Sequence, residues 1–279
     1  MKTYHHLPSA LLALAGLAAF APAALAAVVT YNPGDLLLAF RTTGASTPSN
    51  TDYLVNLGPA SQFSGAGFNT HITLSLGAIG ADLVGLFGPT WYSRSDVFWS
   101  ISGTPGSSAV GNDPSRTLYA TREESDAGIQ SDAWLRGNSA GQALPTNKLT
   151  ALASAFIQTA GVPNDSTANS SLAILQSTGA ANSYASFQSG SSSFSYFPDT
   201  IEGSFADGSS GTVLDLYRLT PGTPNTAGEF VGSFNINNSG AVTFNAGVVP
   251  EPGSTALLTS ALALLGVSRR RRVPATVRA

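Results

Sequence analysis

Short runs of strand-forming residues, separated by turn residues, fill the middle of this chain, and this pattern constrains the fold more than any other feature. Each run is rich in β-branched, aromatic or leucine side chains, whereas Gly, Pro, Asn and Ser fill the gaps. Runs of this length and spacing are typical of antiparallel sheets, so we predict a mainly β, sandwich-like domain. The predicted strands are Leu36–Arg41, Tyr53–Leu57, His71–Leu76, Val97–Ser102, Thr117–Thr121, Tyr184–Gln188, Phe194–Phe197, Val213–Leu219, Phe230–Asn235 and Ala241–Asn245.

The clearest local pattern spans Val231 to Phe244, where apolar and polar residues alternate on both sides of an Asn-Ser-Gly turn at 238–240. This predicts a β-hairpin. One helix is predicted after Thr146 or Asn147, either of which can cap it, and before Gly161 and Pro163. Its apolar stripe consists of Leu149, Leu152, Ala153, Phe156 and Ile157. A second, shorter helix is predicted from about Ser171 to Ser177.

The composition excludes several kinds of site. The chain has no cysteine, so it offers no thiolate ligand or nucleophile, and its domain depends on its apolar core. Residues 27–250 contain seven basic and fifteen acidic residues, a net charge of about −8, which argues against nucleic acid or an anionic polymer as an electrostatic partner. With so few histidines and no phosphate-binding glycine loop, we predict no metal centre and no cofactor.

The last thirty residues combine three features in order. Pro250-Glu251-Pro252 favours an exposed, extended peptide, because proline fixes φ and restricts the residue before it. An uncharged apolar run from Ser254 to Val267 then predicts a helix of about 21 Å, at the short end for the ~30 Å hydrocarbon core of a bilayer. The cluster Arg269, Arg270, Arg271 and Arg272 follows, and such a cluster stays cytoplasmic. We therefore predict a C-terminal transmembrane helix with the rest of the chain outside.

This arrangement strongly resembles the PEP-CTERM sorting signal of Gram-negative bacteria, with Pro250, Glu251 and Pro252 as its motif. The resemblance implies an exosortase as a partner, an inner-membrane anchored precursor, and a final place at the cell surface, in the outer membrane or outside the cell. It also implies an exopolysaccharide or biofilm setting. The apolar helix is short for the family, and residues 273–279 continue past the arginines.

The N-terminus agrees with export. Lys2 precedes an apolar stretch, and Ala24-Leu25-Ala26 fits the small-x-small rule for signal peptidase, with a mature start at Ala27. This predicts delivery by the general secretion machinery. We therefore divide the chain into a signal peptide (1–26), a mainly β exported domain (27–247), the sorting signal (248–272) and a tail (273–279).

A Gly-x-Ser-x-Gly motif around Ser139 matches the nucleophile elbow of α/β-hydrolases. That fold needs a histidine later in the chain, but His71, the one histidine outside the signal peptide, lies upstream. No strand-forming run leads into the motif. Chance occurrence in a Gly- and Ser-rich loop is the favoured interpretation.

Acidic and aromatic residues supply the remaining candidates. Glu123, Glu124, Asp126 and Asp132 cluster in sequence, and a solvated surface is favoured over a glycosidase pair. Asp207 and Asp215 flank a turn, but calcium loops carry oxygen ligands more densely. Flat aromatic faces suit sugar rings, although core packing is the favoured use of the large rings Trp91, Trp99, Trp134 and Tyr92.

Together these observations predict a non-enzymatic exported protein with a binding or structural role at the cell surface or in an exopolysaccharide matrix, and no catalytic residue. The first alternative is a polysaccharide-active hydrolase that uses acidic residues such as Glu123 and Glu202. The second is binding to ice or another crystal surface, for which Thr42, Thr43, Thr47 and Thr51 do not provide the regular array required.

Overall fold

The computed structural model describes residues 30–43, 50–66, 70–126, 128–156, 170, 172–188, 192–205 and 213–247. Most of these residues belong to, or connect, antiparallel strands. The strands are β1 (Asp35–Thr42), β2 (Thr51–Pro59), β3 (His71–Thr73), β4 (Val97–Gly103), β5 (Leu118–Glu123), β6 (Leu135–Arg136), β7 (Ala173–Ser177), β8 (Gly203–Ser204), β9 (Val213–Leu219), β10 (Thr226–Ala227), β11 (Glu229–Ile236) and β12 (Val242–Ala246).

In the described part of the chain, four short α-helices accompany the strands: α1 (Ser61–Ser64), α2 (Ile79–Phe87), α3 (Ala143–Ala153) and α4 (Tyr184–Phe187). Single 3-10 turns lie at Trp91–Ser93 and, directly after α3, at Ser154–Phe156. Within the described ranges, no helix is both long enough and apolar enough to span a membrane.

Ten strands form one curled antiparallel sheet in the order β3-β12-β11-β9-β5-β4-β1-β2-β7, with β8 also paired to β4. The predicted mainly β, antiparallel architecture is therefore confirmed. The β11–β12 hairpin is confirmed as well, with Phe234 opposite Phe244 and Ile236 opposite Val242. A separate two-stranded ladder pairs β6 with β10. Sequence order and sheet order differ widely, because β5 lies beside β9.

The sheet carries an apolar core on each face. Successive side chains of a strand point to opposite faces, and in β1 both sets are apolar. Leu36, Leu38 and Phe40 join a core with α1, α2 and the Trp91 turn. The intervening residues Leu37 and Ala39 join a second core under α3 and α4. The central strands are thus buried on both sides, which explains why their sequences are nearly continuous apolar runs.

The curl of the sheet brings distant strands together on the first face. The ring of Phe63, in α1, lies 5.2 Å from that of Phe234 on β11 and 5.1 Å from that of Phe244 on β12. Beside it, α2 approaches the β11–β12 turn so closely that a Cβ on Gly80 would lie 2.0 Å from the carbonyl oxygen of Ser239. Only glycine fits at this contact.

Several local predictions were wrong. Residues 184–187 form α4 rather than a strand, residues 173–177 form β7 rather than a helix, and residues 194–197 form turns flanked by a single bridge pair. Helix α2 was not predicted. Helix α3 was predicted, but it begins at Ala143, after Gln142, and no side chain caps it, so Thr146 and Asn147 lie inside the helix.

Some predictions fall outside the described residues. They include the signal peptide with Ala24, Ala26 and Ala27, the motif Pro250-Glu251-Pro252, and the apolar helix with Arg269 to Arg272. The same holds for Asp207, for Thr47, for Ile157 of the apolar stripe predicted for α3, and for Gly161 and Pro163, which were predicted to end that helix.

Candidate functional site

An acidic cleft lies where β5 ends. It has a volume of about 680 Å³ and is formed by the last residues of β5, the segment after it, and the segment around β8. This acidic cleft is lined by Arg122, Glu123, Glu124, Ser125, Ile129, Gln130, Ser131, Asp132, Asp199, Thr200, Glu202 and Ser204. Sequence reasoning named Glu123, Glu124, Asp132 and Glu202 among these residues, and the fold brings all four to one recess.

Glu202 is fixed in place by an ion pair. Its two carboxylate oxygens accept hydrogen bonds from Nε and Nη2 of Arg41 at 2.7 and 2.6 Å. The side chain of Glu202 is 1% exposed and that of Arg41 is 16% exposed. A carboxylate held in a bidentate pair with arginine is poorly placed to exchange protons with a substrate. Glu202 therefore stabilises the wall of the cleft and is poorly placed to act as an acid or base.

Glu124 differs from the other carboxylates of the cleft. It is buried, and Oε2 accepts a hydrogen bond from the backbone N–H of Gly128 at 2.7 Å. Burial raises the pKa of Glu124, and the charge of Asp215 adds to the rise, although the Gly128 N–H acts in the opposite direction. A carboxyl with a raised pKa in a recess is a candidate proton donor.

Asp215 supports the floor behind the cleft. Its Oδ2 accepts hydrogen bonds from the backbone N–H and the hydroxyl of Ser131, at 2.6 and 2.9 Å. Burial raises the pKa of Asp215. Asp215 thus anchors the segment that carries Ser131 to β9. Among the described residues, no group of three His, Cys, Asp or Glu side chains is arranged to hold a metal ion.

An aromatic pocket adjoins the acidic cleft and shares Arg122 with it. Its volume is about 530 Å³, and its walls are formed by β6 with its flanking residues, the segment 196–198 and the two residues before β10. The aromatic pocket is lined by Arg122, Ala133, Trp134, Leu135, Arg136, Gly137, Tyr196, Phe197, Pro198, Pro224 and Asn225. Most of these residues carry no sequence motif, so the pocket could not be found before the β6–β10 pairing was known.

The three tryptophans are buried. Trp91 and Trp99 are fully buried in the first core, where both contact the ring of Phe40. Trp134 is 2% exposed, donates from Nε1 to the carbonyl oxygen of Thr121, and lies beneath the guanidinium of Arg122. Core packing, the favoured prediction, is therefore correct for all three rings. Tyr92 is 37% exposed.

The Gly-x-Ser-x-Gly segment is a turn before α3. The hydroxyl and the carbonyl oxygen of Ser139 both accept from Nη1 of Arg116. His71 lies on the edge strand β3, and its Nδ1 is 2.6 Å from Oδ1 of Asn245. Each residue thus has another partner in a different part of the fold, and the motif has no triad geometry. The prediction that it is a chance match agrees with this arrangement.

Comparisons with known proteins address the C-terminal segment. Residues 248–272 match the family profile of the PEP-CTERM protein-sorting motif. The match covers 25 of the 279 residues and lies after β12, outside the described β domain. Comparison with curated proteins and with solved structures gave no match. The chain carries the PEP-CTERM sorting signal and is, by that signal, an exported exosortase substrate with a membrane-anchored precursor.

Proposed function

We propose that this chain is a non-enzymatic protein of the cell surface or exopolysaccharide matrix, and that its β domain binds glycan. The observation that supports it best is the pair of adjoining recesses, the acidic cleft and the aromatic pocket, which share Arg122. Together they offer hydroxyl, amide, carboxylate and guanidinium groups beside apolar walls. Sugar-binding sites need this mixture, because a sugar presents hydroxyls at its edge and C–H groups on its faces.

The state of the candidate catalytic residues favours binding over hydrolysis. The carboxylate of Glu202 is paired with Arg41, and the hydroxyl of Ser139 accepts a hydrogen bond from Arg116. Retaining and inverting glycosidases both need two carboxyl groups that face each other across the scissile bond. Of the two residues first named for a hydrolase, Glu123 and Glu202, one is thus committed to a structural ion pair.

A localisation experiment tests the proposal. The tagged full chain is expressed in a bacterium that has an exosortase and makes exopolysaccharide, and its distribution between cells, matrix and medium is measured. We expect retention in the matrix, and release when the polysaccharide is digested enzymatically. The matched control is the same strain without polysaccharide synthesis, where the chain should appear in the medium or stay with the envelope. Equal retention in both strains would contradict the proposal.

The second candidate function, a polysaccharide hydrolase, is favoured by one observation, the buried Glu124 with its raised pKa in the acidic cleft. It predicts that the full chain shortens matrix polysaccharide and that Glu124→Gln abolishes this activity. Asp199→Asn, a change to an exposed carboxylate of the same cleft, is the matched control. Turnover that depends on Glu124 would replace binding by hydrolysis as the function.

A further inference from the structure

Two arginines of the aromatic pocket have no carboxylate partner among the residues that the structure describes. The ion pairs among the described residues use Arg41, Arg94 and Arg218, whereas Arg122 and Arg136 form none. Both arginines are half-buried and line the aromatic pocket. An arginine without a counter-ion beside an apolar recess is suited to bind an anionic group, because its planar fork matches a carboxylate.

Arg122 is held ready for such a contact. Its guanidinium carbon lies 4.5 Å from the centroid of the Trp134 ring, and Nη1 donates to the carbonyl oxygen of Asp132 at 2.9 Å. In the part of the chain that the structure describes, its Nε and Nη2 make no hydrogen bond. Stacking on an indole orients the fork in advance and lowers the entropy lost when a ligand binds.

Arg136 and Asn225 lie on the β6–β10 side of the pocket. Nε and Nη2 of Arg136 donate to the carbonyl oxygen of Ala227 at 3.1 and 2.8 Å, and Nη1 donates to the hydroxyl of Thr220 at 3.4 Å. Arg136 is therefore fixed in position and contributes mainly its charge, whereas Arg122 offers the Nε–Nη2 fork that is free among the described residues. The backbone N–H of Asn225 donates to the carbonyl oxygen of Arg136, and Asn225 has a φ of 61°, in the left-handed region. This tight turn fixes the backbone of Asn225, which also lines the pocket.

The apolar walls suit the ring of a sugar. Tyr196 is half-buried, with its hydroxyl fixed by a bond to the carbonyl oxygen of Leu135 at 3.1 Å. Pro198 and Pro224 are exposed beside it. Rigid rings of this kind pack against the C–H face of a pyranose at low entropic cost.

We propose that the aromatic pocket binds a sugar residue that bears a carboxylate, a hexuronate, through Arg122 and Arg136. This proposal rests on the proposed function and names the ligand class of one of its two recesses. The domain as a whole is negatively charged, so the affinity arises from contacts in the pocket and not from long-range attraction. A glycan that is mostly neutral, with single acidic residues, fits that balance better than a polyanion.

A matched pair of disaccharides tests the ligand class without any change to the protein. Cellobiouronic acid and cellobiose differ in a carboxylate that replaces one hydroxymethyl group. Binding of each to the full chain in detergent micelles is measured by isothermal titration calorimetry. We expect the acidic disaccharide to bind roughly tenfold more tightly, the usual value of one charge-assisted contact. Equal affinities would overturn the proposal.

Variants locate the site. Arg122→Gln and Arg136→Gln should each remove most of the preference for the acidic disaccharide. Arg116→Gln should keep it, because Arg116 is a similarly bonded arginine that lies outside the pocket, next to Ser139. Thermal unfolding confirms that each variant is folded. A preference that survives both pocket variants would overturn the assignment to this pocket.

A third ligand tests an alternative occupant of the aromatic pocket, the chain's own sorting motif. A peptide of residues 248–253 carries two prolines and a glutamate, which could also fill an apolar pocket that contains arginine. If this peptide binds in an Arg122-dependent way and cellobiouronic acid does not, the pocket serves the chain's own sorting motif and the sugar proposal is wrong. Matrix retention with no uronate binding would refute this inference alone and leave the proposed function standing.

Discussion

Arg41 on β1 and Glu202, next to β8, form a bidentate ion pair across 161 positions of sequence, with N–O distances of 2.7 and 2.6 Å. The pair joins β1, the first strand of the chain and an interior strand of the sheet, to the wall of the acidic cleft. Thr200 adds a weak contact from its hydroxyl to Oε2 of Glu202 at 3.4 Å. The shape of the cleft therefore depends on a strand that does not line it.

Breaking this pair should destabilise the domain. Glu202→Gln leaves the half-buried Arg41 without its counter-ion, and an uncompensated buried charge costs about 3 kcal/mol. We expect a lower midpoint in urea denaturation of the full chain. Asp199→Asn removes an exposed carboxylate of the same cleft and should change the midpoint little. Equal effects of the two changes would contradict a structural role for Glu202.

Asp52 should make the stability depend on pH. It is fully buried, and burial raises its pKa from the ordinary aspartate value to about 6, although the N–H of Ala185 and the charge of Arg41 oppose the rise. A raised carboxyl pKa means that the unfolded chain releases its proton first. This contribution therefore lowers stability as the pH rises from about 4 to about 6 and is constant above that.

Asp52→Asn should remove this pH-dependent loss of stability. Relative to the parent, the variant should gain up to roughly 3 kcal/mol between about pH 4 and about pH 7. Thermal unfolding of both proteins across this range measures the gain. Asp96→Asn provides the opposite sign, because the Arg94 guanidinium lowers the pKa of Asp96, so its loss should cost more as the pH rises. A pH-independent difference for Asp52→Asn would contradict the assigned cause.

Two glycines of α2 should respond oppositely to alanine. A Cβ on Gly80 would lie 2.0 Å from the carbonyl oxygen of Ser239, so Gly80→Ala should force α2 from the hairpin turn and cost about 2 kcal/mol or more. A Cβ on the exposed Gly85 has open space, and Gly85→Ala should stabilise by roughly 0.5–1 kcal/mol through helix propensity. Calorimetric unfolding of both variants distinguishes these effects. Similar midpoints would show that α2 and the turn do not meet.

The sorting signal should depend on Glu251. We expect an exosortase to recognise the Pro-Glu-Pro motif, so Glu251→Ala should leave the chain as a membrane-bound precursor of unchanged mass. Fractionation and intact-mass measurement in a host with an exosortase report the change. Asp126→Ala, in the β domain, should be processed like the parent. Normal processing of Glu251→Ala would show that another feature of residues 248–272 is recognised.

The strands could be predicted where the local pattern was sufficient. β1, β4 and β9 are rich in β-branched, aromatic or leucine residues, and each was expected close to its observed bounds. α4 could not be predicted, because Tyr184 and Phe187 have strand propensity. The hydroxyl of Ser183 caps this helix locally, while Asp52, 133 positions away, accepts from the N–H of Ala185. Tertiary contacts decided its conformation.

The candidate site could likewise be predicted only where local sequence was sufficient. The carboxylates Glu123, Glu124 and Asp132 are close in sequence, so their proximity in the acidic cleft needed no knowledge of the fold. The commitment of Glu202 to Arg41, and the approach of Asn225 to Arg136, depend on pairings between remote segments. Arg122 and Arg136, the two arginines of the aromatic pocket, were not predicted from the sequence. Arg136 carried no signal. The one signal of Arg122 was its position directly before the acidic cluster.

The sheet order bears on how the domain is assembled during export. β5 pairs on one side with β9, and β3 pairs with β12. These strands cannot complete their pairing until the later strand has been synthesised. Such remote pairings fold slowly. β12 ends at Ala246, directly before the sorting signal at 248–272, so the strand that pairs with β3 is among the last parts of the domain to be synthesised. Residues 71–73 of β3 therefore stay without their partner strand for most of the time in which the domain is being made.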